Sequence, residues 1–355
     1  MQIISDFQKD TKSDKPNPGS YEWWYFDACS GNGYAFVVIF YDGNPFSRRY
    51  ISALSDDGNP SASRFPAISI SIYKNGKPIF YAFEEVEPAR AEFSKTVPDG
   101  RVGKNQFSGS LTDDTLKYRI KLNQSLPNGD SVQANLTFTS SPFDLTSMTD
   151  QNSGNDSLHT WNLVMPRCEV KGEILIRGFY EEEIQFEGIG YHDHNTGTEP
   201  MKESFKEWYW GRYHTKTSTF IYYLMFEDDE WQKKAWLIEN SSQVLEMGEN
   251  AEMANRGFSK FALQPARSLQ FNGNGIEAFL QLDNLVDDGP FYQRYLGQLL
   301  INKDGNILRA TGISEYIYPS RIYSKIFWPL VNMRIKYPGK AHWVQKNPKL
   351  YRWTW

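Results

Sequence analysis

The sequence is poor in cysteine, in histidine and in long apolar runs. Two cysteines, Cys29 and Cys168, among 355 residues exclude a disulfide framework and point to a reducing compartment. No stretch approaches the roughly 18 apolar residues that cross a bilayer as a helix. The first seven residues lack the basic segment and apolar run of a signal peptide. The expected location is therefore cytoplasmic. Positive charge is not in excess either. A net charge of −5 speaks against nucleic acid, which requires a basic face. That charge is uneven: residues 321–355 carry eight Lys or Arg and no acid, which leaves the first 320 residues at −13.

Aromatic residues are abundant, with 21 Tyr, 23 Phe and 11 Trp. They favour strands and wide apolar pockets over helix bundles. Turn signals recur between short β-prone runs. Gly31-Asn-Gly33 separates residues 21–28 from 34–41, and Lys74-Asn-Gly-Lys77 separates 67–73 from 78–83. Pro127-Asn-Gly-Asp130 separates 116–122 from 131–139, and Lys303-Asp-Gly-Asn306 separates 295–301 from 307–311. Asn-Gly and Asp-Gly suit the primed turns that match strand twist, so each reads as a β-hairpin. Helical periodicity is scarce; short helices are expected only near 201–207 and 320–334. The chain reads as all-β, and so many hairpins close into barrels or sandwiches to hide their edges. Residues 140–158 are the expected linker, with no apolar residue from Thr149 to Ser157. The expected domains are 1–157 and 158–355.

Four of the five histidines fall between His159 and His214. Read as strands, alternation sorts their surroundings by face. Tyr191, Asp193 and Asn195 share one face, with His192 and His194 on the other. His159 aligns with Trp161, and Trp208, Trp210, Arg212 and His214 form a third row. An acid, a phenol, an imidazole and indoles suit cation chemistry on an alkene. A sequestered carboxylic acid can give a proton to carbon. Indole and phenol faces stabilise the carbocation without attacking it. An imidazole positions water or removes a proton. Bland readings stand beside these. Asp193 could bond backbone amides in a turn, and the tryptophans could be ordinary core. The His-x-His pair could bind metal with His159 and His214. The carboxylate between them points the other way and no Cys or Glu cluster supports it, so no metal is expected.

Tyr21-Glu-Trp-Trp-Tyr-Phe-Asp-Ala28, and Pro45-Phe-Ser47 after an apolar strand, resemble the opening of the carotenoid 1,2-hydratase (hydroxyneurosporene synthase) and AttH-like superfamily. So do Gly188-Ile-Gly-Tyr-His-Asp-His-Asn-Thr-Gly197, Glu199-Pro-Met201, Phe205, Trp208-Tyr-Trp-Gly-Arg212, and the upstream His159-Thr-Trp161 with Pro166-Arg167. The resemblance spans residues 21–225. It implies two consecutive lipocalin-like β-barrels, a site made by His159, Trp161, Tyr191 and Asp193, and no cofactor. Trp24, Trp208, Trp210, Arg212, His192, His194, Asn195 and His214 would line the substrate. His192 and His194 stand where the family has apolar or small residues, and Gly211 where it has a small hydroxyl residue.

The expected activity is that of a hydratase-like lyase, adding water to a C=C bond of a long apolar isoprenoid or polyene or cyclising it by protonation. Two rivals are a cofactor-free cyclase or isomerase of a polyketide or terpenoid, and a non-enzymatic lipid or pigment carrier. The expected partner is a hydrophobic small molecule. Residues 321–355 interleave bases with Tyr323, Phe327, Trp328, Tyr337, Trp343, Trp353 and Trp355. Two readings of this tail stand: a peripheral membrane contact, or the last strands of the second barrel.

Overall fold

Each of the four expected turns joins two antiparallel strands. The structure, a computed structural model, describes residues 1–56, 58–143, 145, 148, 159–239, 243–248 and 250–355. The chain forms two compact units, Met1–Met201 with Trp328–Trp355, and Lys202–Phe327.

The first unit holds β1 (Gln2–Ile4), β2 (Tyr21–Ser30), β3 (Tyr34–Tyr41), β4 (Ala67–Lys74), β5 (Lys77–Glu85), β6 (Ala91–Phe93) and β7 (Asp99–Val102). It continues with β8 (Asn105–Thr112), β9 (Thr115–Ser125), β10 (Ser131–Ser140), β11 (His159–Arg177) and β12 (Glu182–Gly197). Two meanders, β2–β5 and β6–β12, are sewn together where β12 pairs antiparallel with β2. The sheet runs β5-β4-β3-β2-β12-β11-β10-β9-β8-β7-β6, with β1 parallel to β11.

Alternation explains which face is core. In β10, Val132, Ala134, Leu136 and Phe138 are buried while Gln133 and Asn135 are exposed. Phe138 meets the rings of Phe26 and Phe36 at 5.6 and 6.1 Å.

The second unit holds β13 (Glu207–His214), β14 (Ser218–Glu227), β15 (Glu230–Glu239), β16 (Gln243–Glu246) and β17 (Glu252–Ala254). β18 (Ser268–Gly273), β19 (Ile276–Gln281), β20 (Leu285–Asp288), β21 (Tyr292–Lys303) and β22 (Asn306–Ile317) follow. Its sheet runs β16-β15-β14-β13-β22-β21-β19-β18-β17, with β20 on β21. Tyr209, Tyr213, Phe220, Tyr222, Leu269 and Phe271 lie in its core. Helices are short: α1 (Arg48–Asp56), α2 (Met201–Ser204), α3 (Ser320–Tyr323), α4 (Trp328–Arg334) and α5 (Pro348–Trp353). No helix among the described residues is long and apolar enough to cross a membrane.

Two expectations need correction. A division at 157/158 would put β11 and β12 in the second unit, yet they hydrogen-bond β10 and β2 and stay in the first sheet. The polar run 149–157 that suggested a linker lies outside the described residues. The tail is not the last strands of the second barrel. Pro348 opens α5, Asn347 caps it by accepting from the Lys349 and Leu350 amides at 3.0 and 3.1 Å, and helix rather than strand results. From Trp328 onward the tail belongs to the first unit. Lys336 N–H donates to Phe83 O at 2.8 Å and Glu85 N–H to Lys336 O at 2.9 Å, which covers the edge of β5.

Burial sets the first expectation. Phe138→Ala should cost about 3–5 kcal/mol of unfolding free energy. Phe279→Ala, at a half-open position on the outer face of β19, should cost about 0.5 kcal/mol. Urea denaturation of the two variants checks the contrast.

Candidate active site

The middle strand of the first unit carries the candidate residues Tyr191, Asp193 and Asn195. β12 lies between β11 and β2, with Trp161 opposite Asn195 and Leu163 opposite Asp193 on one side. On the other side Tyr25 faces Asp193 and Trp23 faces Asn195. Cross-strand partners share a face. One face therefore gathers Tyr21, Trp23, Tyr25, His159, Trp161, Tyr191, Asp193 and Asn195. The opposite face gathers Glu22, Trp24, Phe26, His192 and His194.

Asp193 is only 4% exposed, and three side chains donate to it. Tyr191 Oη gives a hydrogen bond to Oδ2 at 2.6 Å, and Trp161 Nε1 gives one to the same oxygen at 2.8 Å. Asn195 Nδ2 donates to Oδ1 at 2.9 Å. A buried carboxyl without partners would cost several kcal/mol, and these three donors offset part of that cost. Burial, then the charge of Asp193, pushes the Tyr191 phenol well above its ordinary range. Tyr191 is thus a donor that keeps its proton.

The chain of contacts continues outward from Asn195. Its Oδ1 lies 3.2 Å from His159 Nε2, and His159 Nδ1 lies 2.9 Å from Tyr21 Oη. Tyr21 is placed by Gly197, where a Cβ would come within 2.1 Å of the tyrosine ring. Burial pushes the His159 imidazole down to about 3, helped by the N-terminal amine and opposed by the Asn195 contact. His159 is therefore neutral, with one donor and one acceptor nitrogen. An ionised Asp193 fixes the direction of the whole chain: Tyr21 donates to His159, His159 to Asn195, and Asn195 to the carboxylate. A protonated Asp193 fits the same atoms if the Asn195 amide turns over, since its oxygen and nitrogen are nearly equal in size. Reversal of three hydrogen bonds, Asp193–Asn195, Asn195–His159 and His159–Tyr21, would match proton gain or loss at Asp193.

His192, His194 and Trp24 do not join this cluster. His192 Nε2 lies 3.0 Å from Asp10 Oδ2 and its Nδ1 2.9 Å from the Tyr25 carbonyl. His194 Nδ1 lies 3.3 Å from Asp10 Oδ1 and its Nε2 2.9 Å from Glu22 Oε1. Phe26 stacks on His192 at 3.9 Å and Trp24 on His194 at 4.5 Å. Lys15 bridges Glu22 and Asp42, and Tyr118 Oη donates to Asp10. These groups tie residues 10–15 to the core. Trp208, Trp210, Arg212 and His214 share one face of β13 in the second unit, the face opposite Tyr209 and Tyr213. His214 Nδ1 bonds Thr219 Oγ1 at 2.8 Å.

Sequence reasoning did not assign Tyr21, although it opens the N-terminal signature. It also missed Asp10, which has no motif around it and is recognisable only by its three-dimensional neighbours.

Neutral His159 has a stability consequence. An unfolded histidine takes up a proton below about 6.5 and His159 in the fold only near 3. The unfolded state therefore gains protons first as pH falls between those values, and stability declines. Wild type should lose about 2 kcal/mol more than His159→Gln between pH 7 and pH 5. Urea midpoints of both proteins at the two pH values measure it.

Residues 41–346 match the family described as Carotenoid hydratase CrtC. The chain is 30% identical over 361 residues to hydroxyneurosporene dehydrogenase of Chlorobaculum tepidum, covering 96% of this chain and 93% of that one. It is 26% identical over 209 residues to an acyclic carotenoid 1,2-hydratase of Thiocapsa roseopersicina, covering 58% of this chain and 47% of that protein. A solved structure named AttH, from Nitrosomonas europaea, aligns with a TM-score of 0.62 at 15% identity, across 89% of this chain and 97% of the other. That likeness places the two curled sheets among lipocalin-like folds. The family match covers most of the sequence, and the chain belongs to the carotenoid hydratase CrtC family.

Proposed function

We propose that this protein is a hydro-lyase that adds water to a terminal C=C bond of a long acyclic isoprenoid or polyene, with Asp193 as the proton donor. The observation that carries the reading is the buried Asp193 carboxyl, held by Tyr191, Trp161 and Asn195. Protonated Asp193 delivers its proton to the less substituted alkene carbon, and the cation forms on the neighbouring carbon. The indole of Trp161 lies against the carboxyl and offers electron density without a nucleophilic lone pair. Neutral His159 orients the water that adds to the cation. The proton lost by that water returns to the Asp193 carboxylate, which restores the acid. Atoms balance as alkene plus water gives alcohol.

A second reading is supported by the donor pattern itself. Three donated hydrogen bonds suit an ionised carboxylate that orients a bound molecule for cyclisation or isomerisation, with no proton transfer to carbon.

Two measurements separate these readings. Asp193→Asn should fold as the wild type by circular dichroism and lose about 10³-fold or more in turnover; full activity would remove the acid from the mechanism. Reaction of an acyclic carotenoid in D₂O should give a product heavier by one water, with one non-exchangeable deuterium on the carbon next to the new alcohol. A product without carbon-bound deuterium supports the second reading.

A further inference from the structure

The first unit carries a basic cavity away from the Asp193 cluster. Its volume is about 300 Å³, and Arg48, Arg49, Asn332, Tyr337, Lys340 and His342 line it. That is the lower end of the size range of small-ligand sites. Arg49 is committed to Glu85 at 2.5 Å. Among the described ion pairs neither Arg48 nor Lys340 has a carboxylate. The Arg48 guanidinium lies over the rings of Trp328 and Tyr337, at 5.6 and 5.8 Å, and its buried Nε has no hydrogen-bond partner. The buried Asn332 Oδ1 is likewise unbonded, and turning the amide over presents Nδ2 as a donor in its place. Burial and Lys340 hold the His342 imidazole below its ordinary value. Its Nδ1 accepts from the Val344 amide at 3.3 Å, so Nε2 carries the proton as a further donor. Two uncompensated cations and neutral donors around a cavity make a seat for a phosphate group.

Exposed apolar side chains follow the seat along the same C-terminal segment. Trp343, next to His342, is 64% exposed, and Trp353 is 68% exposed. Leu350, 42% exposed, is three residues before Trp353 and shares its face of α5. The turn Trp343–Lys346 packs against α5. Phe179, 50% exposed, lies under the Arg352 guanidinium at 4.0 Å. Lys340, Lys346 and Lys349 are exposed among these residues. Exposed indoles interleaved with lysines match the interfacial zone of a bilayer, where the ring sits at headgroup depth and the ammonium meets lipid phosphate. Within 340–353 Arg352 pairs with Asp130, while Lys340, Lys346 and Lys349 have no carboxylate among the described ion pairs, which favours an anionic partner.

We propose that residues 340–353, with Arg48, form a docking face for an anionic phospholipid bilayer, in which one lipid phosphate occupies the Arg48–Lys340 cavity. The face stands on this geometry alone and does not rest on the chemistry assigned to Asp193.

Co-sedimentation of the full chain with vesicles tests it, using phosphatidylcholine alone or mixed with phosphatidylglycerol. The protein should bind the mixed vesicles at least about 10-fold more tightly. Trp343→Ala/Trp353→Ala and Arg48→Gln/Lys340→Gln should each weaken that binding about 10-fold or more. Lys340→Gln alone, at an exposed position, should weaken it several-fold and guards against misfolding of the pair. Millimolar inorganic phosphate should leave the tryptophan contribution intact. Turnover of detergent-dispersed substrate by these variants should equal that of wild type, so docking and chemistry fail in separate assays. Equal binding to both vesicle types, or binding unchanged in both double variants, would overturn the proposal.

Discussion

The site depends on one geometric constraint, the pairing register of β12 between β2 and β11. Side chains alternate across a strand, so a slip of one residue would replace Asp193 by His192 or His194 on the face that holds Tyr21 and Trp161. Nothing in the local pattern of Tyr-His-Asp-His-Asn prevents that slip, because both faces are buried and both are polar. The register is fixed instead by length. β11 and β12 run 19 and 16 residues, and their pairing extends well past the polar stretch into Val170, Ile174, Ile184 and Phe186, where only one face is apolar core. The irregularities between Leu163 and Cys168 then set the phase in which His159 and Trp161 meet β12.

The two faces solve the problem of buried polarity differently. Among the described contacts around Asp193 the partners are a phenol, an indole, an amide, and beyond them an imidazole and a second phenol. Such a shell can accept a change of one proton, because its hydrogen bonds can reverse together. Around His192 and His194 the partners are Asp10 and Glu22, with Lys15 and Asp42 behind them. Buried ion pairs such as Lys15 with Glu22 and Asp42 cost much of what they return, and breaking one member is expensive. They suit a fixed connection, in this case between residues 10–15 and the core, better than a centre that must change charge. His192 and His194 therefore flank Asp193 in sequence but point their side chains to the opposite face of the strand. Their described partners, Asp10 and Glu22, lie on that other face with them.

Much of this was legible in the sequence where local rules govern. The hairpins at Asn-Gly and Asp-Gly follow from turn chemistry, and the sorting of residues 191–195 by face follows from the pleat. Three features were not legible, each because long-range contact decides it. Asp10 gains meaning only from Tyr118, His192 and His194, all more than a hundred residues away. The polar run near residue 150 has the composition of a domain linker, yet the strands on either side of it belong to one sheet. The last residues were ambiguous between strand and surface segment, because their composition says only that they are basic and aromatic. The Asn347-Pro348 cap decides for helix, and the open edge of β5 decides where they pack.

The family motif around β12 divides by function once its contacts are known. Its glycines are not there for unusual backbone angles. At Gly190 a Cβ would lie 2.5 Å from Val170 and 2.6 Å from the Asp27 carbonyl, and at Gly197 it would enter the Tyr21 ring. Both positions need the absence of a side chain so that a neighbour can approach. Gly190 brings the strands together on the core face, and Gly197 lets Tyr21 reach His159 on the other. The Tyr, Asp and Asn between them then supply the donors and the carboxyl. The spacing of the motif is thus a packing requirement at its ends and a chemical one in its middle. A chain could keep the glycines, and with them the fold, while changing the polar residues between them, which is how one lipocalin-like frame can serve several chemistries.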